Sequence, residues 1–460
     1  MKKKLSNHEF YQTIISLVLP ITLQTLISSS LNMVDNLMIG KLGESAIASV
    51  GLVNQYFFIF TLCITGFNAG AGIFISQYWG RKNTNSIRKM LGLNLILCIL
   101  TSMIFSIPAF IFPQSIIKIF THDPEVISIG IQYLRIIAIT FIFTSITQIY
   151  STTLRCIGIA KPPMIGSLIG VLTNAFLNWI FIFGNLGAPN MGVAGAALAT
   201  SIARLVEMLI IIYASYKTND VIPGKIKQYF RFSMDFVKAY FQVSSPVIIN
   251  ELIWSLGITT YSIIYAKIGI KEVASMQISS TINNMFMVLG IGIASSASII
   301  IGNCIGAGNE EKAKEYAAKL SVLAPFIGLI SGLALWIASP NVVQLFNIEK
   351  NTVQMTINVL RIMALFAPLR FFNVLMIVGI FRGAGDTKYS MLVQLGTVWF
   401  FAIPLGYLFA VFFKQPLEIV FLVICLEEII KVIFEAIRLK SKKWIKNIIN
   451  DTGSLSIGIN

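Results

Sequence analysis

Two histidines (His8 and His122) and five cysteines (Cys63, Cys98, Cys156, Cys304 and Cys425) are few for 460 residues, and none stands at metal-ligand or CxxC spacing. No disulfide framework and no zinc or haem site is expected from such a set. Charge is scarce too: 12% of residues are Asp, Glu, Lys or Arg, against 56% hydrophobic. A soluble domain does not have that balance. The phosphate-binding pattern GxxxxGK[ST] is missing, and the glycines beside basic residues in "GRKN" (80–83) and "GAGDTK" (383–388) do not supply it. ATP is therefore not expected as the energy source. An intramembrane lipid-modifying enzyme would need a nucleophile–base set or a His/Asp cluster near the interface, and neither is seen.

Apolar sequence is what the chain has in quantity, with a mean hydropathy of +0.79. Twelve apolar segments fall at 13–39, 46–76, 90–112, 131–153, 164–184, 192–216, 240–266, 275–303, 319–340, 357–381, 389–413 and 416–439. Each reaches the length of about 20 residues that a spanning helix needs. The fold class expected is an all-α polytopic membrane protein with twelve transmembrane helices. The first segment is too long for a removable signal peptide and lacks a small-residue cleavage site.

The net charge of +15 is unevenly spread. With the N-terminus inside, 24 of the 35 Lys and Arg fall in cytoplasmic segments, and six fall in external loops (Lys41, Lys118, Lys267, Lys271, Lys350, Lys414). This is the positive-inside bias, and it places both termini in the cytoplasm. The basicity reflects topology, so no nucleic-acid partner is expected.

The halves of the chain resemble one another. "FYQTIISLVLP" leads to Pro20 and "FQVSSP" to Pro246; Glu44/Glu272 and Gly80/Gly308 match at an offset of 228. "YLRIIA" (133–138) matches "VLRIMA" (359–364) at 226, and "LRCIGIAK" (154–161) matches "FRGAGDTK" (381–388) at 227. Six helices per half is an even number, so both repeats enter the membrane from the same side and are parallel. The domains expected are a six-helix bundle over 1–216, a cytoplasmic linker over 217–238 that carries an interfacial helix, a second bundle over 239–440 and a cytoplasmic tail over 441–460. A duplicated two-bundle plan suits an alternating-access carrier.

Several stretches resemble a known family, multidrug and toxic compound extrusion (MATE), in its NorM-like branch. They are "LPITLQTLISSSLNMVDNLMIGKLGESAIASVG" (19–51), "ISQYWGRKN" (75–83), "LRCIGIAKPP" (154–163), "NAFLNWIFIFGNLGAPNMGVAGAALAT" (174–200), "SPVIINELIWSLG" (245–257) and "FRGAGDTKYS" (381–390). The resemblance covers nearly the whole chain. It implies a cation-coupled antiporter that exports amphipathic, often cationic, compounds across a bacterial cytoplasmic membrane, with Na⁺ or H⁺ as coupling ion. No other cofactor is expected, and the chain is expected to act as a monomer.

An ionised carboxylate inside a bilayer costs about 3 kcal/mol or more, so Asp35 in "LNMVDNLMIG" calls for a task or a partner. Asp35 in the first helix, Asn174 and Asn178 in the fifth and Thr200 in the sixth fall at matched depth, in the outer half of the bilayer. Asn174 and Asn178 are i,i+4 and share a face. Hard cations take oxygen ligands, and the resemblance places the family's N-lobe cation site on these four positions, as metal ligands if the ion is Na⁺. Alternatively, the amides and the hydroxyl tie helices together. Arg204 and Glu207, i,i+3 in the sixth helix, are expected to pair locally.

The second half has a polar set of its own in Glu251, Arg370 and Glu428, with Glu427 and Lys431 beside the last. Static ion pairing of Glu428 with Lys431 and of Arg370 with Glu251 is one expectation; a second-lobe polar site is the other. The resemblance implies an acid in the tenth helix eleven residues before Arg382, where this chain has Phe371. Met33, Tyr56, Trp254, Met285 and Met287 are candidates for the substrate cavity, because Met and aromatic surfaces repack around varied ligands. A lipid-linked sugar flippase of related plan is the alternative function. It would require several deep arginines for a diphosphate, and only Arg204 and Arg370 lie deep.

Overall fold

The computed structural model describes residues 7–346 and 348–453; the side chains of residues 7–9, 13, 30–34, 36, 37 and 451–453 lie outside the description. Twelve long helical segments follow one another: α1 (Asn7–Gly40), α2 (Glu44–Gly80), α3 (Thr84–Ile111), α4 (Pro124–Ile137 and Thr140–Cys156), α5 (Lys161–Phe183) and α6 (Gly192–Lys217). Then come α7 (Met234–Ile268), α8 (Ile270–Gly306), α9 (Glu310–Val343), α10 (Lys350–Phe381), α11 (Thr387–Phe412) and α12 (Leu417–Ser441). Among the described residues, ten are long and apolar enough to cross a membrane, or eleven with the two parts of α4 counted as one span. The segment outside that count is α12, which carries Glu427, Glu428, Lys431 and Glu435 along its middle.

The fourth segment, expected as one helix over 131–153, is two helices that meet at 46°. The bend falls where Ala138 and Ile139 separate them. There the Thr140 hydroxyl donates to the Ile137 carbonyl at 2.6 Å, and that of Ser106 to the Ala138 carbonyl at 2.8 Å. Side-chain oxygens thus meet carbonyls that a straight helix would have satisfied within its own backbone. Apolar periodicity passes through such a break unchanged, so it is invisible in the hydropathy pattern.

The chain divides into two compact units, Leu19–Tyr240 and Met1–Val18 with Phe241–Asn460. In the first, Arg88 on α3 holds the stretch after α6 by donating to the carbonyls of Val221 (2.9 Å) and Asp220 (3.0 Å) and to Gln228 Oε1 (3.2 Å). This stretch forms one short helix, Ile226–Phe230. A Cβ on Gly92 would come 2.0 Å from the Tyr229 carbonyl oxygen, so only glycine allows this approach. In the second unit, α10 and α12 bring together Val359, Leu360, Val420, Phe421 and Ile424, all nearly fully buried. Residues after α12 fold back on the same unit: Trp444 is buried, Lys446 pairs with Asp386, and its amide donates to the Ala384 carbonyl at 3.1 Å.

Helix ends repeat between the halves. At the end of α2 the amides of Arg81, Lys82 and Asn83 bond to the carbonyls of Gln77, Trp79 and Tyr78; at the end of α8 those of Ala307, Gly308 and Asn309 bond to Asn303, Ile305 and Cys304. Asn83 then caps α3 through Ser86 N, and Asn309 caps α9 through Lys312 N. Lys82 and Gly308 hold the left-handed conformation such a stop requires, at φ 57° and 73°. The repeat offset here is thus 226, and the expected 228 through Glu44/Glu272 and Gly80/Gly308 is corrected. Matching letters paired glycine with glycine, whereas the backbone pairs Gly308 with a lysine. The 227 offset holds later, where Gly158 and Gly385 end α4 and α10 at φ 87° and 81°.

Candidate functional site

Three helices of the first unit bring the polar set of Asp35 together. Asn174 and Asn178 lie on α5 one turn apart, Thr200 on α6, and Asp35 near the end of α1. Small residues let α5 and α6 close on each other: a Cβ on Gly195 would sit 2.5 Å from the Phe181 carbonyl oxygen, and one on Gly170 3.2 Å from the Glu207 Cβ. At that separation the side chains form one row. Asn174 Nδ2 donates to Thr200 Oγ1 at 3.0 Å, Asn178 Nδ2 donates to Asn174 Oδ1 at 3.0 Å and to Asp35 Oδ1 at 2.5 Å. Both asparagines are fully buried and Thr200 is nearly so. Asn178 Oδ1 is enclosed and has no hydrogen-bond partner.

A buried amide oxygen left unpaired is costly and rare in native structures. Next to a carboxylate it forms, with Asn174 Oδ1 and Thr200 Oγ1, a set of oxygens of the kind hard cations select. The row adjoins a narrow pocket lined in part by Ser167, Gly170, Asn174, Thr200, Arg204 and Glu207. There Arg204 pairs with the buried Glu207 at 2.8 Å, as expected from their spacing. Ser167 donates to the same carboxylate at 2.7 Å and accepts from Gln24 at 3.1 Å. Neither Ser167 nor Gln24 was indicated by sequence; a hydroxyl or amide in an apolar run carries little signal until its partner is known.

In the second unit the ion pairs differ from those expected. Glu251 pairs with Arg382 at 2.7 Å, Arg370 with Glu428 at 3.4 Å, and Lys431 with Glu427 at 3.2 Å. The expected Arg370–Glu251 and Glu428–Lys431 pairs are corrected accordingly. Helical geometry explains the second change, since Glu427 and Lys431 are i,i+4 and Glu428 turns instead to α10. There Asn373 donates to Glu428 Oε2 at 2.7 Å. Tyr261 donates to Glu427 Oε2 at 3.0 Å. Phe371 is buried, and Cβ atoms built on Gly290 and Gly328 would touch it, so it packs as an apolar residue between α8 and α9. Sequence reading missed Arg382, which looked like part of a turn, and Glu435, which lies one turn beyond Lys431.

The substrate-cavity candidates fall in both units. Tyr56 is half-buried, donates to the Phe105 carbonyl at 2.9 Å and packs on Phe105 and Phe141, inside the first unit. Trp254 and Met285 are 44% and 56% exposed, and Met287 is half-buried. The side chain of Met33 lies outside the described residues.

Comparison with known proteins bears on the whole chain. A family model described as MatE matches residues 20–180 and again 246–408, once in each half. Similar proteins include a "Probable multidrug resistance protein NorM" of Thermotoga maritima, 24% identical over 89% of this chain and 88% of its own. The "Uncharacterized transporter YisQ" of Bacillus subtilis is 22% identical over 94% and 95%. The fold is that of MATE crystal structures in a straight and a bent conformation, with TM-scores of 0.85 and 0.84, 21% identity, and coverage of 94% of this chain and 96% of theirs. With its two matched halves, its twelve helices and its fold all in agreement, this chain belongs to the MatE family, the multidrug and toxic compound extrusion transporters.

Proposed function

We propose that this chain is a cation-coupled antiporter that exports amphipathic, often cationic, drugs and xenobiotics across a bacterial cytoplasmic membrane, with both termini inside. The observation that carries this reading is the row from Asp35 to Thr200, with its enclosed, unpaired Asn178 oxygen. Ionised and without a counter-ion, Asp35 is costly in the bilayer; with Na⁺ or H⁺ bound it is neutral. An ion shifts a conformational equilibrium only through different affinity for its two states. The three neutral side chains would shape the site without adding charge. The gradient would provide ~2.3 kcal/mol per charge per 100 mV, plus its concentration term.

Relatives called multidrug resistance proteins support the substrate class. The flippase reading is weaker, because the arginines it would rely on, Arg204, Arg370 and Arg382, are already paired with carboxylates. The test is uptake of a fluorescent cationic dye into inverted vesicles, with Na⁺ and pH gradients imposed separately and ATP held constant. Export driven by either gradient is expected. Export that continues with both gradients collapsed would overturn the proposal.

A further inference from the structure

The mid-section of α12 buries more charge than its neighbours match. Glu427, Glu428, Lys431 and Glu435 are all under a tenth exposed, and Glu435 is fully buried. The ion pairs within this set are already taken. Lys431 holds Glu427, and Arg370 from α10 holds Glu428 with the help of Asn373. Glu435 is left over: both its carboxylate oxygens are enclosed, and neither has a hydrogen-bond partner. The group therefore contains three carboxylates and two cations, and full ionisation would leave one uncompensated negative charge inside the unit.

The elements around Glu435 offer no relief. On α12 it faces Lys431 one turn back, and beyond it Glu428. From α11 comes Tyr389, whose hydroxyl is committed to the Phe434 carbonyl at 2.8 Å. Arg370 from α10 is held by Glu428 and donates to Cys425 Sγ, and Arg382, just past the end of α10, is held by Glu251 at 2.7 Å. One turn further along α12, Arg438 is bound to Asp386 at 2.8 Å, with Lys446 on the same carboxylate.

We propose that Glu435 is a proton-binding site in the second unit, separate from the Asp35 row. Its carboxylate takes one proton from water to become a neutral carboxylic acid, and gives it back to water when the site opens. Both oxygens are enclosed and, among the described residues, no hydrogen-bond donor meets either of them, so a neutral carboxyl suits the site better than a carboxylate. Its role in transport rests on the antiport reading above; proton binding itself does not.

Infrared difference spectra of the purified full-length chain in detergent, taken through the neutral pH range, test the binding directly. A carboxylic-acid C=O band of a buried protonated group is expected in the wild type and in Asp35→Asn, and its loss is expected in Glu435→Gln. A band that persists unchanged in Glu435→Gln, or that is missing from the wild type, overturns the proposal. Should Glu435→Gln not fold, Glu435→Asp replaces it, and its band must move; a band at the wild-type frequency also overturns the proposal. Proteoliposomes then separate the two readings. Proton-driven dye exchange lost in Glu435→Gln supports a coupling role, whereas a wild type without any ion-driven exchange sinks the antiport reading and leaves the infrared band to decide Glu435.

Discussion

Asn178 spends both amide hydrogens inside the row, on Asp35 Oδ1 at 2.5 Å and Asn174 Oδ1 at 3.0 Å, while its own enclosed carbonyl oxygen receives none. With its donors committed, the group it has left is an acceptor beside a carboxylate. Asp35→Asn should insert and fold, because an amide oxygen still accepts from Asn178, yet coupled export should be lost. Asn178→Ala should weaken the ion dependence with a smaller loss. Dye efflux under imposed gradients, compared with dye binding to the detergent-solubilised variants, checks both. Wild-type export with unchanged ion dependence in Asp35→Asn would make the carboxylate structural.

Thr200 accepts from Asn174, which is fully buried. Thr200→Val keeps the shape and removes the acceptor, leaving a buried donor unpaired at about 1–3 kcal/mol. A lower melting temperature in detergent and a weaker response to the coupling ion are expected together. Thr200→Ser should restore both.

Buried Arg382, just past the end of α10, pairs with the partly buried Glu251 of α7 at 2.7 Å. Either Glu251→Gln or Arg382→Gln alone should destabilise by about 3–5 kcal/mol, because each leaves the other charge buried and unpaired. The double variant should be less destabilised than the sum of the two, since neither charge then remains. Unfolding midpoints of the three variants supply the cycle, and strict additivity would mean that the pair is not coupled.

The strap after α6 depends on a glycine. With a Cβ at position 92 placed 2.0 Å from the Tyr229 carbonyl oxygen, Gly92→Val must displace the short helix Ile226–Phe230. Limited proteolysis of the purified protein should then cut within residues 218–233 several times faster than in the wild type, at positions that loosened backbone exposes. Unchanged cleavage would show that the stretch can move without cost.

Hydropathy was enough to read the class and the number of helices. The four residues of the first-unit row were also readable, since polar side chains in long apolar runs are few and their depth follows from counting along straight helices. Pairing in the second unit was not. Glu251, Arg370, Arg382, Glu427, Glu428 and Lys431 can combine in several ways at similar depth, and hydropathy does not choose among them. Nor could letters reveal the 226 offset at the end of α2, where Lys82 adopts a backbone conformation that its partner Gly308 adopts freely.

By itself the sequence determined that this chain spans a membrane with twelve helices, and it determined the stock of polar groups set in its apolar runs. Both follow from composition and from the periodicity of a helix, which act along the chain. Tertiary structure alone decided which of those groups meet. The approach of α5 to α6 joins Asn174 to Thr200, the rotation of α12 gives Lys431 to Glu427, and the packing of α10 and α11 on α12 leaves Glu435 without a partner. Hydrogen bonds and ion pairs act over about 3 Å. Helix rotation and close packing set distances at that scale, and residue spacing does not.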